Sequence, residues 1–209
     1  MRRDVDRAEQ RARQYWYDDG LVEIAAGIIF LAMGALFLVE ALAPQGSLPK
    51  SFSAIGIVVL VAGGIWIAGR VVRWTKERVT YPRTGYVRYQ QRTRTTKRKL
   101  ITVVVAIAIS ILTNLMLFAT APASLDWIPA MQGVFIGAFI LYMAYMVALV
   151  RFYLLALFSF VLGSVVAAAS MGSSLGNGIY FAGMGFALLL SGTITLIHYL
   201  QSTQLPEGE

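Results

Sequence analysis

Six long apolar stretches constrain what this chain can fold into. A helix needs about 20 apolar residues to cross the hydrocarbon core of a bilayer, and its backbone hydrogen bonds must all be internal. The 209-residue sequence contains six stretches of about this length, at 21–43, 51–72, 100–120, 129–150, 152–171 and 178–200. We therefore expect an all-α, polytopic bundle of six transmembrane helices over residues 21–200, flanked by an N-terminal segment 1–20 and a tail 201–209.

Composition excludes several classes of protein. The chain is 57% apolar and 14% charged, whereas a soluble domain is about 45–50% apolar and about 25% charged. The absence of cysteine excludes disulfides and thiolate metal sites, and the single histidine, His198, excludes any site built from two imidazoles. No nucleotide-binding glycine loop or zinc-protease motif is present in the sequence. We expect a protein that is not an enzyme and that holds no metal or cofactor.

One boundary between predicted helices lacks the usual breakers. Between Ala130 and Met171 the only charged residue is Arg151, with no proline or glycine beside it. An unbroken helix over this range would be about 60 Å long, twice the thickness of the hydrocarbon core. We therefore predict a tight hairpin at Arg151, with the arginine at the lipid headgroups.

The basic residues predict the orientation of the helices. Residues 1–20 hold five of the 18 basic residues, residues 70–99 hold eleven, and the turn holds Arg151; Lys50 alone falls on the other side. Lysine and arginine accumulate in cytoplasmic loops. Both termini and the long loop, residues 73–99, are therefore predicted to be cytoplasmic.

That loop carries most of the chain's positive charge. Residues 70–99 contain one acid, Glu77, and have a net charge of +10, whereas the whole chain has +7. Such a loop sets the topology, and it can also bind anionic lipid or an acidic protein partner. Nucleic acid is a weaker alternative, since a basic loop beside a bilayer usually faces lipid or a partner. The candidate binding residues are Arg78, Arg83, Arg88, Arg92, Arg94, Lys97, Arg98 and Lys99.

The same loop contains a more ordered pattern. Residues with high β propensity flank a turn over residues 82–85, where Gly85 can adopt a positive φ. We predict a short β-hairpin here, which is more than charge placement requires. The hairpin is a candidate docking motif, with Tyr81, Pro82, Gly85 and Tyr86 as its central residues.

Three motifs carry a resemblance to known proteins. They are Y-D-D-G-L-V-E-I-A-A-G at residues 17–27, T-Y-P-R-T-G-Y-V at 80–87, and G-I-Y-F with L-L-L-S-G-T-I-T-L-I at 178–197. Together they resemble a group of uncharacterised bacterial six-helix membrane proteins that carry the pattern T-Y-P-R-x-G-Y-V in a cytoplasmic loop. The resemblance implies a location in the bacterial inner membrane and brings no catalytic residues.

Polar residues inside apolar spans are candidates for an intramembrane site, because burying them in lipid is costly. Asp19 and Glu23, which lie one helical turn apart, are both expected to pair with the basic loop. Glu40 lies 17 residues further on, about 25 Å along a helix, so the two glutamates cannot act as a carboxylate pair. His198 shares a helix face with Ser191 and Thr195, and we interpret it as an interfacial residue. The full candidate set is Glu23, Glu40, Ser110, Asn114, Tyr142, Tyr145 and His198.

Small residues predict where the helices pack, because they let backbones approach each other in lipid. Gly133 and Gly137 form one such row, and Gly64 and Ala68 form another. The stretch 152–171 has two rows, one through Ser159 and Gly163 and one through Ser164 and Ala168, which predicts a central helix. We expect these rows to pack within one chain rather than to form a dimer face.

We expect an accessory, assembly or regulatory membrane protein that binds anionic lipid or a protein partner through its basic loop, with a homo-oligomer left open. The alternative is a small-solute binding or transport protein. That alternative predicts a mid-membrane cavity lined by Asn114, Tyr142, Tyr145 and Glu40.

Overall fold

A computed structural model describes residues 16–44, 48–80 and 125–202, and all five long helices in this part are apolar enough to cross a membrane. The helices are α1 (Leu21–Leu42), α2 (Leu48–Thr75), α3 (Ile128–Val147), α4 (Val150–Ala168) and α5 (Ser173–Ser202). The described part of the chain is thus all-α, and the protein is a polytopic membrane protein. The predicted span 100–120 lies outside the described residues, as do the tail 203–209 and most of the basic loop.

The second helix extends further than predicted. A π-helical turn, Lys76–Thr80, continues α2 into the segment that we expected to be a loop from residue 73. The prediction that the loop begins at residue 73 is therefore wrong, because residues 73–80 are helical. The helix continues because Lys76 is held by the body of the protein and Arg78 stacks on Trp74 one turn earlier, with its guanidinium carbon 4.2 Å from the ring centroid.

The hairpin predicted near Arg151 is confirmed. Helix α3 ends at Val147 and α4 begins at Val150, with Ala148 in the left-handed region at φ 57° and Leu149 extended. A left-handed alanine costs roughly 1–2 kcal/mol. Packing offsets this cost, since Val147 and Phe152 on either side of the turn are both buried in the core. The turn therefore forms without glycine or proline.

Helices α1 and α5 pack against each other through glycines spaced seven residues apart. A Cβ atom on Gly27 would lie 2.9 Å from the carbonyl oxygen of Gly185, and one on Gly192 would lie 2.8 Å from that of Gly20. A seven-residue period keeps residues on one seam between two helices. The antiparallel seam consists of Gly20, Gly27 and Gly34 on one side and Gly178, Gly185 and Gly192 on the other. Our sequence analysis did not identify it.

The small-residue row of α3 packs as predicted, within the chain. A Cβ atom on Gly133 would lie 2.8 Å from the Ser159 carbonyl oxygen and 3.0 Å from Cα of Gly163. The second row of α4, which includes Ser164 and Ala168, is exposed in the described structure. The prediction of a central α4 is therefore wrong for the described helices: α5 contacts α1, α3 and α4.

Candidate functional site

Four charged residues meet at one end of the bundle, which we call the basic end. Two ion pairs form there: Lys76 Nζ lies 2.6 Å from Asp19 Oδ2, and Arg151 Nε lies 2.7 Å from Glu23 Oε1. Asp19, Glu23 and Lys76 are at most 2% exposed. Because a buried charge is tolerated only when it is paired, this charge cluster (Asp19, Glu23, Lys76 and Arg151) is the main polar feature of the described helices.

The first pair joins the end of α2 to the residues that precede α1. Besides its contact with Asp19, the Lys76 ammonium donates a hydrogen bond to the carbonyl oxygen of Trp16 at 2.7 Å. It also lies 4.5 Å from the Trp16 ring centroid, within cation–π range. The prediction that Asp19 pairs with the basic segment is confirmed, and the start of that segment is attached to the body of the protein.

The position of Lys76 follows from a pattern that our sequence analysis recognised only in part. The small-residue row of α2, Gly64 and Ala68, continues in steps of four to Val72 and Lys76. A Cβ atom on Gly64 would contact the Ile29 side chain of α1, and Val72 is buried. Continuing the row by two steps would have placed Lys76 on the packed side of the helix.

The second pair differs from the prediction. Glu23 was expected to pair with the basic loop, and this is wrong: its partner is Arg151 of α4. The other carboxylate oxygen of Glu23 accepts a hydrogen bond from Ser191 Oγ of α5 at 2.6 Å. Arg151 also donates to Thr195 Oγ1 at 3.2 Å and to the carbonyl oxygen of Tyr17. Arg151 lies two residues after the turn, and its side chain points inward. It contacts α1, α5 and the segment before α1.

The segment just before α1 therefore lies against the basic end. Lys76 and Arg151 hold two consecutive carbonyl groups of this segment, and the Tyr17 ring packs edge-on against Phe152 with centroids 5.7 Å apart. Burial raises the pKa of the Tyr17 hydroxyl. Burial also raises the pKa of Asp18, and the nearby Asp19 adds to this, while the positive charges of Arg151 and Lys76 oppose it.

A second polar network lies between α3, α4 and α5, nearer the opposite end. Ser159 Oγ donates to the carbonyl oxygen of Gly133 at 3.1 Å and lies 2.8 Å from the Tyr180 hydroxyl. The Tyr180 hydroxyl is also 3.3 Å from the carbonyl oxygen of Gln132. Ser159 and Tyr180 are fully buried, so these bonds satisfy groups that have no access to water.

Apolar side chains separate the two polar networks. Along α5 the buried residues after Tyr180 include Met184, at 0% exposure, and Leu188, at 6%. They belong to a core with residues of α3 and α4, including Ala144 and Leu155. In the described helices, no polar path through this core connects the network of Tyr180 with the charge cluster.

The other predicted intramembrane residues do not come together in the described structure. Tyr142 and Tyr145 are 59% and 75% exposed and point away from the core. Glu40 accepts a hydrogen bond from Ser174 Oγ at 3.3 Å, at the end opposite to Glu23. His198 is exposed, and within the part of the chain described here it makes no hydrogen bond to Ser191 or Thr195.

The remaining candidates fall mostly outside the described residues. These are Ser110, Asn114, the docking motif from Tyr81 to Tyr86, and the basic residues from Arg83 to Lys99. Arg78 is described, and it is exposed. Among residues 16–44, 48–80 and 125–202, no group of three or more metal-binding side chains is present. Comparison of the chain with family models, curated proteins and solved structures gave no match.

Proposed function

We propose that this protein is a non-enzymatic accessory protein of the bacterial inner membrane that holds a basic cytoplasmic segment, residues 70–99, against anionic lipid. The proposal rests on the contrast between the buried and the exposed cations in the described part of this segment. Lys76 is buried and paired, which fixes the base of the segment, whereas Arg70, Arg73 and Arg78 are exposed. The fixed base and the exposed cations together favour a surface that presents positive charge.

The carboxylates of the chain are too few to neutralise this segment. The sequence has 11 acidic residues for 18 basic ones, and Glu77 is the only acid within residues 70–99. Asp19 and Glu23 belong to the charge cluster, while Glu40 and Asp126 lie at the opposite end of the bundle. Anionic lipid can supply the missing counter-charge, and each basic residue near such a surface gains about 1 kcal/mol.

The helix ends support the predicted topology. Helix α2 and its π-helical turn finish at the basic end, where Lys76 meets Trp16. Helix α3 begins at the opposite end, where Asp126 accepts a hydrogen bond from the backbone N–H of Gly172 at 3.1 Å. If the bundle spans a membrane, the intervening chain must cross it an odd number of times. This agrees with the prediction that the apolar stretch 100–120 is one crossing and that both termini lie on the basic, cytoplasmic side.

Solute transport has less support. The predicted cavity residues Tyr142 and Tyr145 face outward in the described part, and the apolar core around Met184 separates the two polar networks. The alternative is that the basic segment binds an acidic protein, and the test below distinguishes this from lipid binding. The resemblance to bacterial membrane proteins with the T-Y-P-R-x-G-Y-V motif supports the location.

The absence of cysteine makes a direct test possible. A spin label on Thr95→Cys, the only cysteine in the resulting chain, reports the depth of the segment in nanodiscs. We expect the label to approach the bilayer when phosphatidylglycerol is added to phosphatidylcholine, and to withdraw at high salt because salt screens exposed charges. Neutralising Arg92, Arg94, Lys97, Arg98 and Lys99 together should abolish the response.

Two results would contradict the proposal. One is an unchanged label depth with and without phosphatidylglycerol. The other is a label that responds only when soluble cell extract is added, which would favour a protein partner. The same cysteine tests the topology: a membrane-impermeant maleimide should label it in inverted vesicles and not in intact cells whose outer membrane has been permeabilised.

A further inference from the structure

Tryptophan and arginine alternate every four residues along the outward side of α2. They are Trp66, Arg70, Trp74 and Arg78, which we call the Trp–Arg face. The Arg70 guanidinium carbon lies 5.3 Å from the Trp66 ring centroid, and that of Arg78 lies 4.2 Å from the Trp74 centroid. The two indole side chains are 66% and 54% exposed, so both stacked pairs lie on an open surface.

The face is open on one side of a helix whose other side is packed. Within the described structure, α2 makes its interhelical contacts with α1. A Cβ atom on Gly56 or Gly64 would touch Leu36 or Ile29 of α1, but one on Gly63 or Gly69 would meet nothing within 4 Å. Among the described residues, no neighbour therefore covers the apolar surface beside the indole of Trp66.

The charge on this face restricts what can cover it. Arg70, Arg73 and Arg78 are exposed, and Glu77 is the only acid in this part of the helix. The predicted span 100–120 contains no acidic residue, so it offers no counter-charge. A second copy that paired the same faces by two-fold symmetry would bring arginines against arginines. The occupant that fits has negative charge and long apolar chains.

We propose that the Trp–Arg face binds an anionic phospholipid of the cytoplasmic leaflet. A lipid phosphate accepts hydrogen bonds from the guanidinium group of either Arg70 or Arg78, which lie about 12 Å apart along the helix, and the acyl chains lie along Trp66 and the open surface at Gly63. A guanidinium that stacks on an indole keeps its N–H edge free for phosphate. The inference rests on the proposed function, which assigns this end of α2 to the cytoplasmic leaflet. It adds a defined lipid site outside the segment from Arg83 to Lys99.

The test uses phospholipids with brominated acyl chains, which quench nearby tryptophans. The full chain is reconstituted in mixed phosphatidylglycerol and phosphatidylcholine bilayers, with bromine on either lipid in turn. The difference between the wild type and Trp66→Phe/Trp74→Phe isolates the two tryptophans of the face. We expect the wild type to prefer phosphatidylglycerol, by roughly fivefold for each arginine.

The double variant Arg70→Gln/Arg78→Gln should reduce this preference to parity. Arg2→Gln/Arg3→Gln removes the same charge from the N-terminal segment and should keep the preference. Arg70→Lys/Arg78→Lys keeps the charge but loses the planar guanidinium, and we expect an intermediate value. Since Arg70 and Arg78 are exposed, an unchanged melting temperature provides the folding control.

The outcomes separate this site from the proposed function. If neutralising the five basic residues from Arg92 to Lys99 abolishes the spin-label response but leaves the quenching preference intact, both proposals stand. If that response never occurs but the preference does, the proposed function fails and the lipid site stands. An undiminished preference in Arg70→Gln/Arg78→Gln overturns the site. So does weak quenching by both lipids together with a cross-linked dimer, because a second copy then covers the face.

Discussion

At the scale of single residues, the charge cluster is where a small change has the largest expected effect. Glu23 lies in the first turn of a membrane-spanning helix and contacts groups from α4 and α5. The ion pair of Glu23 and Arg151 need not make a large net contribution to the free energy of folding. Removing one partner is costly because the remaining charge stays buried without compensation.

We expect Glu23→Gln to lower the free energy of unfolding by about 3–5 kcal/mol, measured by denaturation in detergent micelles. The double variant Glu23→Gln/Arg151→Gln should lose less than the sum of the two single variants, because neither charge then remains alone. Glu40→Gln is the matched control, since Glu40 is hydrogen-bonded by Ser174 at the other end of the same helix. Equal losses for Glu23→Gln and Glu40→Gln would refute the cluster's structural role.

Tyr180→Phe tests the second network. The variant removes the hydroxyl that contacts Ser159 and Gln132 and leaves Ser159 with its bond to Gly133. We expect a loss of about 1 kcal/mol, which is typical of one hydrogen bond within a membrane protein. Tyr145→Phe is the control, because Tyr145 is 75% exposed and should be neutral. A larger effect at Tyr145 than at Tyr180 would show that the two side chains are placed incorrectly.

At the scale of secondary structure, sequence patterns predicted local features well and the pairing of helices only in part. Apolar length located the five described helices, and the length argument correctly predicted a turn near Arg151. The seam between α1 and α5 was missed because small residues were sought at four-residue spacing, whereas Gly20, Gly27 and Gly34 repeat every seven. The longer period indicates two helices that wind around each other and stay in contact along the seam.

Two glycine-to-alanine variants separate the effect of close packing at this seam from the effect of helix propensity. A Cβ atom on Gly185 would lie 2.6 Å from the backbone nitrogen of Leu31, whereas one on Gly63 would meet nothing within 4 Å. We expect Gly185→Ala to destabilise the fold by about 1–3 kcal/mol through overpacking. Gly63→Ala should be neutral or stabilising by up to about 1 kcal/mol, since alanine favours a helix. Thermal unfolding in micelles measures both, and equal effects would contradict the close approach.

At the scale of the whole molecule, the candidate site could be predicted only where its partners come from adjacent parts of the chain. Asp19 and the basic segment were expected to pair because both lie at the predicted cytoplasmic end of neighbouring helices. The partner of Glu23 could not be predicted, because Arg151 reaches it only after α3, α4 and α5 have packed. Positive-inside statistics assign a side of the membrane to each charge, but they do not distinguish a buried arginine from one at the headgroups.

The bundle has a closely packed interior and still carries exposed positive charge. Its described interior is closed by glycine contacts and by the apolar core around Met184, and its buried cations are paired. The exposed cations of α2 and the basic residues that follow it are left to interact with molecules outside the chain. The membrane surface is where these interactions are expected.

The most direct test is native mass spectrometry of the protein after gentle extraction from its own membrane. The account predicts a chain that retains anionic phospholipid and no small polar molecule, with the retained lipid reduced when the basic residues of segment 70–99 are neutralised. A retained small molecule that is not a lipid would contradict the account and favour a binding or transport protein, and its mass would indicate the class of solute.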